Sequence, residues 1–259
     1  MSFDQVLTVP LLGAGAISGS FLNVVIHRVP AKQSIVLPPS HCPSCDTQLK
    51  PLDLVPIVSW VVLRGKCRHC SAPISKRYPL VEAITGALFA LVGWRIGLNW
   101  ALPAYLVLTG FLVALSAIDI DTTTLPRKLI YACSGAGAAL LALASAVDGA
   151  WHRMRWAAIG AAAVYLVFRV IHAAAKGGFG YGDVRLGAML GGYLGWLGLA
   201  DVPIGIFLGF VLGSFIGVAL MVAGGADRRT ALPFGPFLAA GALLTIAAGP
   251  TFVNALWRF

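Results

Sequence analysis

Long apolar segments separated by short polar turns dominate the pattern of this chain of 259 residues. A helix needs about 20 apolar residues to cross the hydrocarbon core of a bilayer, and eight segments approach that length. They cover residues 6–26, 80–98, 102–120, 128–147, 155–175, 184–200, 203–223 and 233–255. Residues 27–79 are too charged and too rich in cysteine and proline to span a membrane. The pattern therefore predicts an all-α polytopic membrane protein with about eight transmembrane helices.

Composition agrees with this prediction, because 58% of the residues are hydrophobic and 11% are charged, whereas soluble domains have about 25% charged residues. The first apolar segment carries Asp4 rather than a basic run and is not followed by an evident cleavage site. We therefore interpret it as a retained helix rather than a signal peptide. Three regions are predicted: a first transmembrane helix over 1–26, a cysteine-containing loop over 27–79, and a seven-helix membrane domain over 80–259.

The net charge of +9 reflects orientation in the membrane rather than affinity for nucleic acid. Lysine and arginine accumulate in cytoplasmic loops. If loop 27–79 is cytoplasmic, eight spans place fifteen of the 19 lysines and arginines inside. The sequence therefore predicts that both termini lie outside the cytoplasm. Asp119 and Asp183 then lie at the cytoplasmic ends of their helices, and the basic residues face anionic lipid headgroups.

Four cysteines in loop 27–79 form two knuckles, Cys42-Pro-Ser-Cys45 and Cys67-Arg-His-Cys70. Two Cys-x-x-Cys pairs at about this separation are typical of a structural zinc site with four thiolate ligands. Such a site is coordinatively saturated and leaves no position for catalysis. Disulfides are disfavoured in a reducing compartment, and a redox pair or a nucleic-acid-binding ribbon are weaker alternatives. Cys133 lies within an apolar segment and is interpreted as a core residue.

Two aspartates occur where the surrounding sequence is apolar. Asp119 ends an uncharged run of residues 105–118, and Asp183 ends the sequence Gly180-Tyr181-Gly182-Asp183. An ionisable group at membrane depth costs about 2.5–3.5 kcal/mol on insertion scales, so it is a candidate functional residue. The neighbouring glycines permit positive φ and close backbone approach. We expect Asp119 and Asp183 to form a pair beside a local cavity, since non-helical backbone at this depth must be buried or hydrated.

Two neighbouring carboxyl groups are suited to peptide hydrolysis, because one can activate water while the other donates a proton. Like charges at close range favour sharing of a single proton. Alternatively, Asp119, Asp121 and Asp183 balance nearby basic residues, and this interpretation is preferred for Asp121. Two other functions were considered, a proton-coupled membrane transporter and a zinc-bound scaffold without catalysis. A transporter predicts acids distributed through the bilayer and interrupted helices in matching halves, whereas both acids here lie near one face.

Several motifs along the chain resemble those of the type IV prepilin peptidase family, also called leader peptidase/N-methyltransferase. They occur in family order over nearly the whole chain. The matching stretches are Gly19-Ser-Phe-Leu-Asn23-Val-Val-Ile-His27-Arg28-Val-Pro30, the two cysteine knuckles, Gly65-Lys-Cys-Arg-His-Cys70, Lys76-Arg77-Tyr78-Pro79-Leu-Val-Glu82, Ile118-Asp119-Ile-Asp121, Gly178-Phe-Gly180-Tyr-Gly182-Asp183 and Leu232-Pro-Phe-Gly-Pro236-Phe-Leu. The Gly-x-Gly-Asp pattern is also similar to that of presenilin-like intramembrane proteases.

The resemblance implies a multi-pass bacterial inner-membrane aspartic endopeptidase with both termini in the periplasm. Such enzymes cleave the basic leader of type IV prepilins or type II secretion pseudopilins after glycine, at the cytoplasmic face. The catalytic pair corresponds to Asp119 and Asp183, with Gly180, Gly182 and Asp121 shaping the site. No nucleic-acid partner is expected. The family commonly has Leu-Pro-Asp where this chain has Leu-Pro-Arg127, a difference expected to alter the orientation of the loop rather than abolish cleavage.

Many members of the family also methylate the new N-terminus, usually a phenylalanine, with S-adenosylmethionine. No glycine-rich Rossmann motif is present, so a pocket for this cofactor must be unconventional. Asn23, Arg28 and Glu82 are candidate cofactor-binding residues. Alternatively, Asn23 is a helix-packing residue, Arg28 is an interfacial anchor, and Glu82 forms an ion pair with Arg77.

Overall fold

A computed structural model describes residues 3–175, 178–224 and 232–256 of the chain. Nine α-helices occur in these ranges. They are α1 (Phe3–Arg28), α2 (Val58–Val62), α3 (Arg77–Ile96), α4 (Leu102–Thr122), α5 (Arg127–Val147), α6 (Trp151–Ala174), α7 (Tyr181–Leu197), α8 (Asp201–Val222) and α9 (Gly235–Leu256). All except the short α2 match the eight predicted apolar segments in order. Four of the basic residues used to predict orientation, Lys176, Arg228, Arg229 and Arg258, lie outside the described residues.

Six of these helices are long and apolar enough to cross a membrane, judged by length and composition: α1, α3, α4, α5, α6 and α8. The remaining two long helices differ for identifiable reasons. Helix α7 has 17 residues and carries Asp183 and Arg185 in its first turns. Helix α9 is interrupted at Gly249, where φ is 68°, which leaves a shorter apolar helix over Gly235–Gly249. The predicted all-α membrane fold is confirmed.

The chain divides into two compact units, Met1–Gly97 and Leu98–Phe259. Helix α3 belongs to the first unit because it packs along α1 through glycines. A Cβ atom at Gly15 would lie 2.7 Å from the Thr85 carbonyl oxygen, and one at Gly86 would lie 2.8 Å from the Leu12 carbonyl oxygen. Small residues thus let the two backbones touch. The sequence analysis placed a boundary between residues 79 and 80 because it separated the loop from the membrane helices. That boundary stays a prediction.

Helix α4 supplies much of the core of the second unit. Five of its large side chains are at most 1% exposed: Tyr105, Leu108, Leu112, Leu115 and Ile118. Their spacing of three or four residues places them on one face of the helix, as expected for a buried stripe. This face continues to Asp119, which carries a carboxyl group to the end of the buried stripe.

Glycines also set the packing of the later helices in the second unit. Helix α7 approaches α6 so closely that a Cβ atom at Gly191 would lie 2.5 Å from the Gly160 carbonyl oxygen. Helices α8 and α9 meet in the same way, because a Cβ atom at Gly241 would lie 2.4 Å from the Gly205 carbonyl oxygen. Glycine is required at these positions by lack of space, which is typical of packed membrane helices.

Polar groups in this core are paired with one another. The Tyr105 hydroxyl donates to the Tyr193 carbonyl at 2.8 Å, and the Tyr193 hydroxyl donates to the Cys133 carbonyl at 3.1 Å. Cys133 is fully buried, so its interpretation as a core residue is confirmed. These bonds tie α4, α5 and α7 together. They are important for stability because an unpaired polar group in such an environment costs several kcal/mol.

Candidate metal centre and candidate active site

The four cysteines of the loop in the first unit converge on one point. Their sulfur atoms all lie within 4.8 Å of one another, and the Sγ atoms of Cys42 and Cys70 are 3.8 Å apart. A tetrahedral zinc site with bonds of about 2.3 Å requires sulfur separations of about 3.8 Å. The four thiols therefore fit a tetrahedral thiophilic metal ion.

The two knuckles have the same backbone conformation, which brings their sulfurs together symmetrically. In the first, Cys42 N–H donates to Thr47 O and Asp46 N–H donates to Cys42 O. In the second, the equivalent bonds run from Cys67 N–H to Ala72 O and from Ser71 N–H to Cys67 O. Asp46 and Ser71 both have positive φ, at 56° and 59°. This short structural repeat was not recognised in the sequence, where the shared pattern is Cys-x-x-Cys with an aliphatic residue four positions after the second cysteine.

The electrostatics of the knuckles favour a bound cation. Hydrogen bonding with Thr47 lowers the pKa of the Cys45 thiol to about 6, and the backbone of Cys70 lowers the pKa of the Cys67 thiol. Although a backbone bond to Ala72 acts in the opposite direction, burial and the three neighbouring sulfurs raise the pKa of the Cys70 thiol to about 11. Four thiolates at this separation therefore need a cation to neutralise their mutual repulsion.

Further contacts fix the knuckles to the rest of the loop. Arg68 Nε donates to Asp53 Oδ1 at 2.7 Å, and this guanidinium holds the pKa of Asp53 below its usual range. Trp60 Nε1 donates to the Ile74 carbonyl at 3.1 Å. Gly65, with φ of 67°, lies against the Trp60 ring, where a Cβ atom would be 2.8 Å from the ring. The second knuckle is thereby held against α2.

A cavity of about 840 Å³ lies in the first unit. This volume is within the usual range of about 300–1,000 Å³ for small-molecule sites. Its wall combines the end of α1, the start of α3 and the loop between them, including six residues of the cysteine knuckles: Cys42, Pro43, Ser44, Cys67, Arg68 and His69. The loop therefore encloses a space large enough for a small organic ligand.

The three candidate cofactor-binding residues, Asn23, Arg28 and Glu82, all line this cavity. Asn23 Nδ2 donates to the Tyr78 carbonyl at 3.2 Å, so it joins α1 to α3, as the helix-packing alternative expected. Arg28 donates to the Ser34 carbonyl at 3.0 Å. Glu82 accepts a hydrogen bond from a backbone N–H, at 2.7 Å. The structure thus places Glu82 in the same cavity wall as Asn23 and Arg28, which come more than 50 residues earlier in the sequence.

In the second unit, Asp119 occupies the last turn of α4 and is 4% exposed. Its Oδ2 atom accepts a hydrogen bond of 2.9 Å from the backbone N–H of Gly235, the first residue of α9. The N-terminus of a helix carries unpaired N–H groups and a partial positive charge, so it is a favourable partner for a carboxylate. A Cβ atom at residue 235 would lie 2.8 Å from this oxygen, so glycine is needed there for space.

Asp183 lies in the first turn of α7. Leu125, in the turn between α4 and α5, connects this turn to the surroundings of Asp119. A Cβ atom at Gly182 would lie 3.0 Å from Leu125 Cβ, and one at Gly235 would lie 3.1 Å from Leu125 Cδ2. The end of α4 and the starts of α7 and α9 therefore converge around one leucine, so the two predicted acids lie on elements that meet.

The glycines beside Asp183 act through space rather than through unusual dihedral angles. The expectation that they use positive φ is wrong, because Gly180 has φ of −66° and Gly182 is also absent from the residues with positive φ. A Cβ atom at Gly180 would instead lie 2.8 Å from Asp183 Oδ2. Both glycines are thus required because side chains at these positions would crowd the carboxyl group or Leu125.

Asp121 and Arg127 are more exposed than Asp119 and Asp183. Side chains two positions apart on an α-helix do not share a face, so Asp121 is exposed while Asp119 is buried. Arg127 begins α5 and is also exposed. The substitution of arginine at this position therefore changes the charge of the surface near the turn.

Sequence reasoning did not select Gly235 or Leu125 as site residues. The signal for Gly235 was a Gly-Pro dipeptide at the start of an apolar segment, which is typical of a helix N-terminus. Leu125 carried no signal, because its role depends on packing between three elements distant in sequence. His172 Nδ1 bonds to the Phe179 carbonyl at 2.7 Å, which fixes the turn before Gly180.

Comparison with known proteins covers both units. The family model described as Bacterial Peptidase A24 N-terminal domain matches residues 14–96, and the model described as Type IV leader peptidase family matches residues 106–222. The gap between the two matches contains the boundary between the compact units. No solved structure matches the chain significantly.

Curated relatives match nearly the full length. The prepilin leader peptidase/N-methyltransferase of Stutzerimonas stutzeri is 36% identical, over 95% of this chain and 92% of the relative. The protein of that name from Pseudomonas aeruginosa is 34% identical, over 95% and 91%. The one from Neisseria gonorrhoeae is 35% identical, over 96% and 92%.

Proposed function

The chain belongs to the type IV leader peptidase family, and on this premise we propose that Asp119 and Asp183 cleave the leader of prepilins or pseudopilins. It is a multi-pass membrane protein, a protease of the prepilin leader peptidase/N-methyltransferase type. Nothing in the comparisons supports the transporter alternative. The observation that carries the proposal is the convergence of the two acids around Leu125.

The two carboxyl groups perform hydrolysis by sharing one proton. The ionised carboxyl takes a proton from water, which attacks the carbonyl carbon of the scissile bond. The protonated carboxyl donates to the carbonyl oxygen and so stabilises the tetrahedral intermediate. Collapse of this intermediate breaks the C–N bond, and a proton passes to the leaving amine. Gly180 and Gly182 keep side chains away from Asp183 and Leu125, and the substrate is cut after its glycine beside Asp183.

Substitution of each acid tests the assignment. Asp119→Asn and Asp183→Asn should each reduce the rate of prepilin cleavage by about 10²–10⁴-fold or more, measured by mass spectrometry with detergent-solubilised protein. Asp148→Asn is the matched control, because Asp148 is an exposed aspartate of the same unit. Full processing by either Asn variant would contradict the assignment.

We place the acids at the cytoplasmic face of the inner membrane and both termini in the periplasm. Two arguments support this orientation. If all eight long helices cross the membrane, fifteen of the 19 lysines and arginines fall on one side, which is expected to be the cytoplasmic side. Asp119 and Asp183 are separated by two full helices, α5 and α6, so the same condition places both acids on that side. Asp121, exposed on the same turn, then contributes negative charge that attracts a basic leader. Labelling of an Asp148→Cys variant with a membrane-impermeant thiol reagent tests the orientation. Residue 148 lies between α5 and α6, so a reagent added from the periplasmic side should reach it.

We propose that Cys42, Cys45, Cys67 and Cys70 bind a structural zinc ion. The sulfur separations and the repeated knuckle conformation support this choice. Bound zinc would hold the two knuckles together and so complete the wall of the cavity. Elemental analysis of the purified protein should find one zinc per chain, and Cys42→Ser with Cys67→Ser should abolish it.

We further propose that the cavity of the first unit binds S-adenosylmethionine, which supplies an electrophilic methyl group for the new N-terminus. Asn23 and Arg28 line the cavity and offer an amide and a guanidinium, which suit the polar groups of an amino acid. Binding of S-adenosylhomocysteine, measured by calorimetry, tests this assignment. Arg28→Ala should weaken that binding, and Arg64→Ala, an exposed arginine of the same unit, should leave it unchanged.

A further inference from the structure

Glu82 is an unusual carboxylate within the first unit. It is 7% exposed, yet it lines the cavity. Its Oε2 atom accepts a hydrogen bond from the Ile57 N–H at 2.7 Å. The alternative expected from sequence, an ion pair with Arg77, is not among the salt bridges of the described residues. A buried carboxylate without a cation is costly, so this group needs a positively charged partner.

The other acids of the first unit with described side chains differ from Glu82. Asp53 is held by Arg68 at 2.7 Å, and Asp46 is highly exposed and lies 3.6 Å from His41. Each therefore has either a cationic partner or access to water. The cavity beside Glu82 is the place from which a cation can reach its carboxylate.

The backbone at Ile57 holds its N–H toward Glu82. Ile57 has φ of 61° and ψ of −51°, and Val58 N–H donates to Pro56 O across it. This is a γ-turn of the rare, strained form, and a β-branched residue with positive φ is an outlier. Such strain persists where the surroundings impose it, and it concentrates at functional sites. The donor to Glu82 is therefore fixed by the fold of the loop.

Helix packing fixes the carboxylate as firmly as the loop fixes its donor. A Cβ atom at Gly19 would lie 2.7 Å from the Cα atom of Glu82, so α1 and α3 touch at this residue. Glu82 thus lies at the junction of two apolar helices, whereas Arg28 bonds to Ser34 in the loop. We expect an apolar helical segment of a substrate to lie along these helices with its N-terminus at Glu82, and a soluble cofactor to lie nearer the loop.

We infer that Glu82 binds the free amino group at the N-terminus of the cleaved substrate and positions it for methylation. This inference rests on the proposed methyl transfer in the cavity. A charge-assisted hydrogen bond from the ammonium group to the carboxylate orients the nitrogen. The ammonium then gives one proton to Glu82. The nitrogen forms a bond with the methyl carbon while the carbon–sulfur bond breaks, and the bonding electron pair stays on sulfur.

Peptide binding tests the inference separately from catalysis. The probes are a labelled apolar peptide with a free N-terminal phenylalanine and the same peptide with an acetylated N-terminus, in detergent with S-adenosylhomocysteine. Wild-type protein should bind the free-amine peptide about tenfold more tightly, which corresponds to about 1.4 kcal/mol. Glu82→Gln should lose this preference while S-adenosylhomocysteine binding is unchanged. Glu82→Asp keeps the charge and should retain part of the preference.

Two controls separate loss of the carboxylate from loss of structure. Glutamine keeps an acceptor for the Ile57 N–H, and prepilin cleavage and zinc content of the same preparation report on folding. Asp46→Asn removes an exposed acid of the same unit and should preserve the peptide preference. Asparagine also tolerates the positive φ at that position.

Three outcomes would overturn the inference. Wild-type protein binding both peptides equally is one, and a Glu82→Gln protein that retains the preference is another. The third is a Glu82→Gln protein that no longer binds S-adenosylhomocysteine but keeps its preference for the free-amine peptide, which would assign Glu82 to the cofactor. Failure of the wild-type protein to bind S-adenosylhomocysteine would instead reject the proposed methyl transfer, and the peptide comparison in its absence would still test amine binding.

Discussion

The two units of this protein build their candidate sites in opposite ways. In the second unit, the acids lie at the ends of long helices whose positions are set by glycine contacts, as at Gly191 and Gly160. In the first unit, most of the cavity wall is an irregular loop, and its knuckles converge on four sulfurs. A helical scaffold holds the two acids through packing, whereas the proposed zinc ion would act as a cross-link for the loop. The two sites should therefore fail under different perturbations.

Metal removal should have the largest effect and should act on the first unit. Structural zinc contributes about 10–16 kcal/mol to the folding of small zinc peptides, and the loop has only short elements of its own. Chelation, or Cys42→Ser with Cys67→Ser, should abolish binding of S-adenosylhomocysteine and methyl transfer. Cleavage should fall less. Calorimetry and mass spectrometry measure these losses, and equal loss of both activities would remove the distinction between the units.

A glycine substitution should produce the opposite pattern. In Gly191→Ala the new methyl group would lie 2.5 Å from the Gly160 carbonyl oxygen, and overpacking of this kind costs about 1–3 kcal/mol. The unfolding temperature and the rate of cleavage should both fall, whereas S-adenosylhomocysteine binding should be preserved. Gly192→Ala is the control, because its nearest side-chain contact is an ordinary 3.7 Å. Equal stability of the two variants would contradict the packing described for α6 and α7.

A smaller change near the acids should affect rate without affecting stability. In Gly235→Ala the Cβ atom would lie 2.8 Å from Asp119 Oδ2, so the carboxyl group must move. Displacement of a catalytic group by about 1 Å can cost about 10²-fold in rate. We expect a loss of cleavage on the order of 10- to 100-fold, measured at saturating prepilin. Gly135→Ala, in open space on α5, should have no effect.

The smallest effect concerns the Asp53–Arg68 pair in the first unit. The pKa of Asp53 is lowered in the folded protein by Arg68. This pair therefore stabilises the loop above the unfolded pKa of aspartate, and the contribution disappears as the pH falls through the lowered value. Because Arg68 is partly exposed, the contribution should be about 0.5 kcal/mol. The amount of zinc retained by the protein can be measured as the pH is lowered. Zinc retention should depend less on pH in Asp53→Asn than in wild type, and identical curves would contradict this role.

The apolar pattern was sufficient to predict the eight long helices, because membrane helices satisfy their backbone bonds locally. Cysteine spacing likewise predicted the convergence of the four thiols. Asp119 and Asp183, the two aspartates in apolar surroundings, were predicted to form a pair. Leu125 and Gly235 were not identified, since their roles arise from contacts between elements more than 50 residues apart. The γ-turn at Ile57 was also beyond prediction, because isoleucine disfavours that conformation and only the surrounding loop imposes it.

Cleavage and methyl transfer should be separable, and the Asp183→Asn variant provides a direct test. Asp183→Asn protein should be given both an intact prepilin and an apolar peptide with a free N-terminal phenylalanine, together with S-adenosylmethionine, and both products examined by mass spectrometry. We expect an uncut prepilin and a methylated peptide in the same sample. A cleaved prepilin, or a peptide left unmethylated by this variant but methylated by wild type, would contradict this expectation.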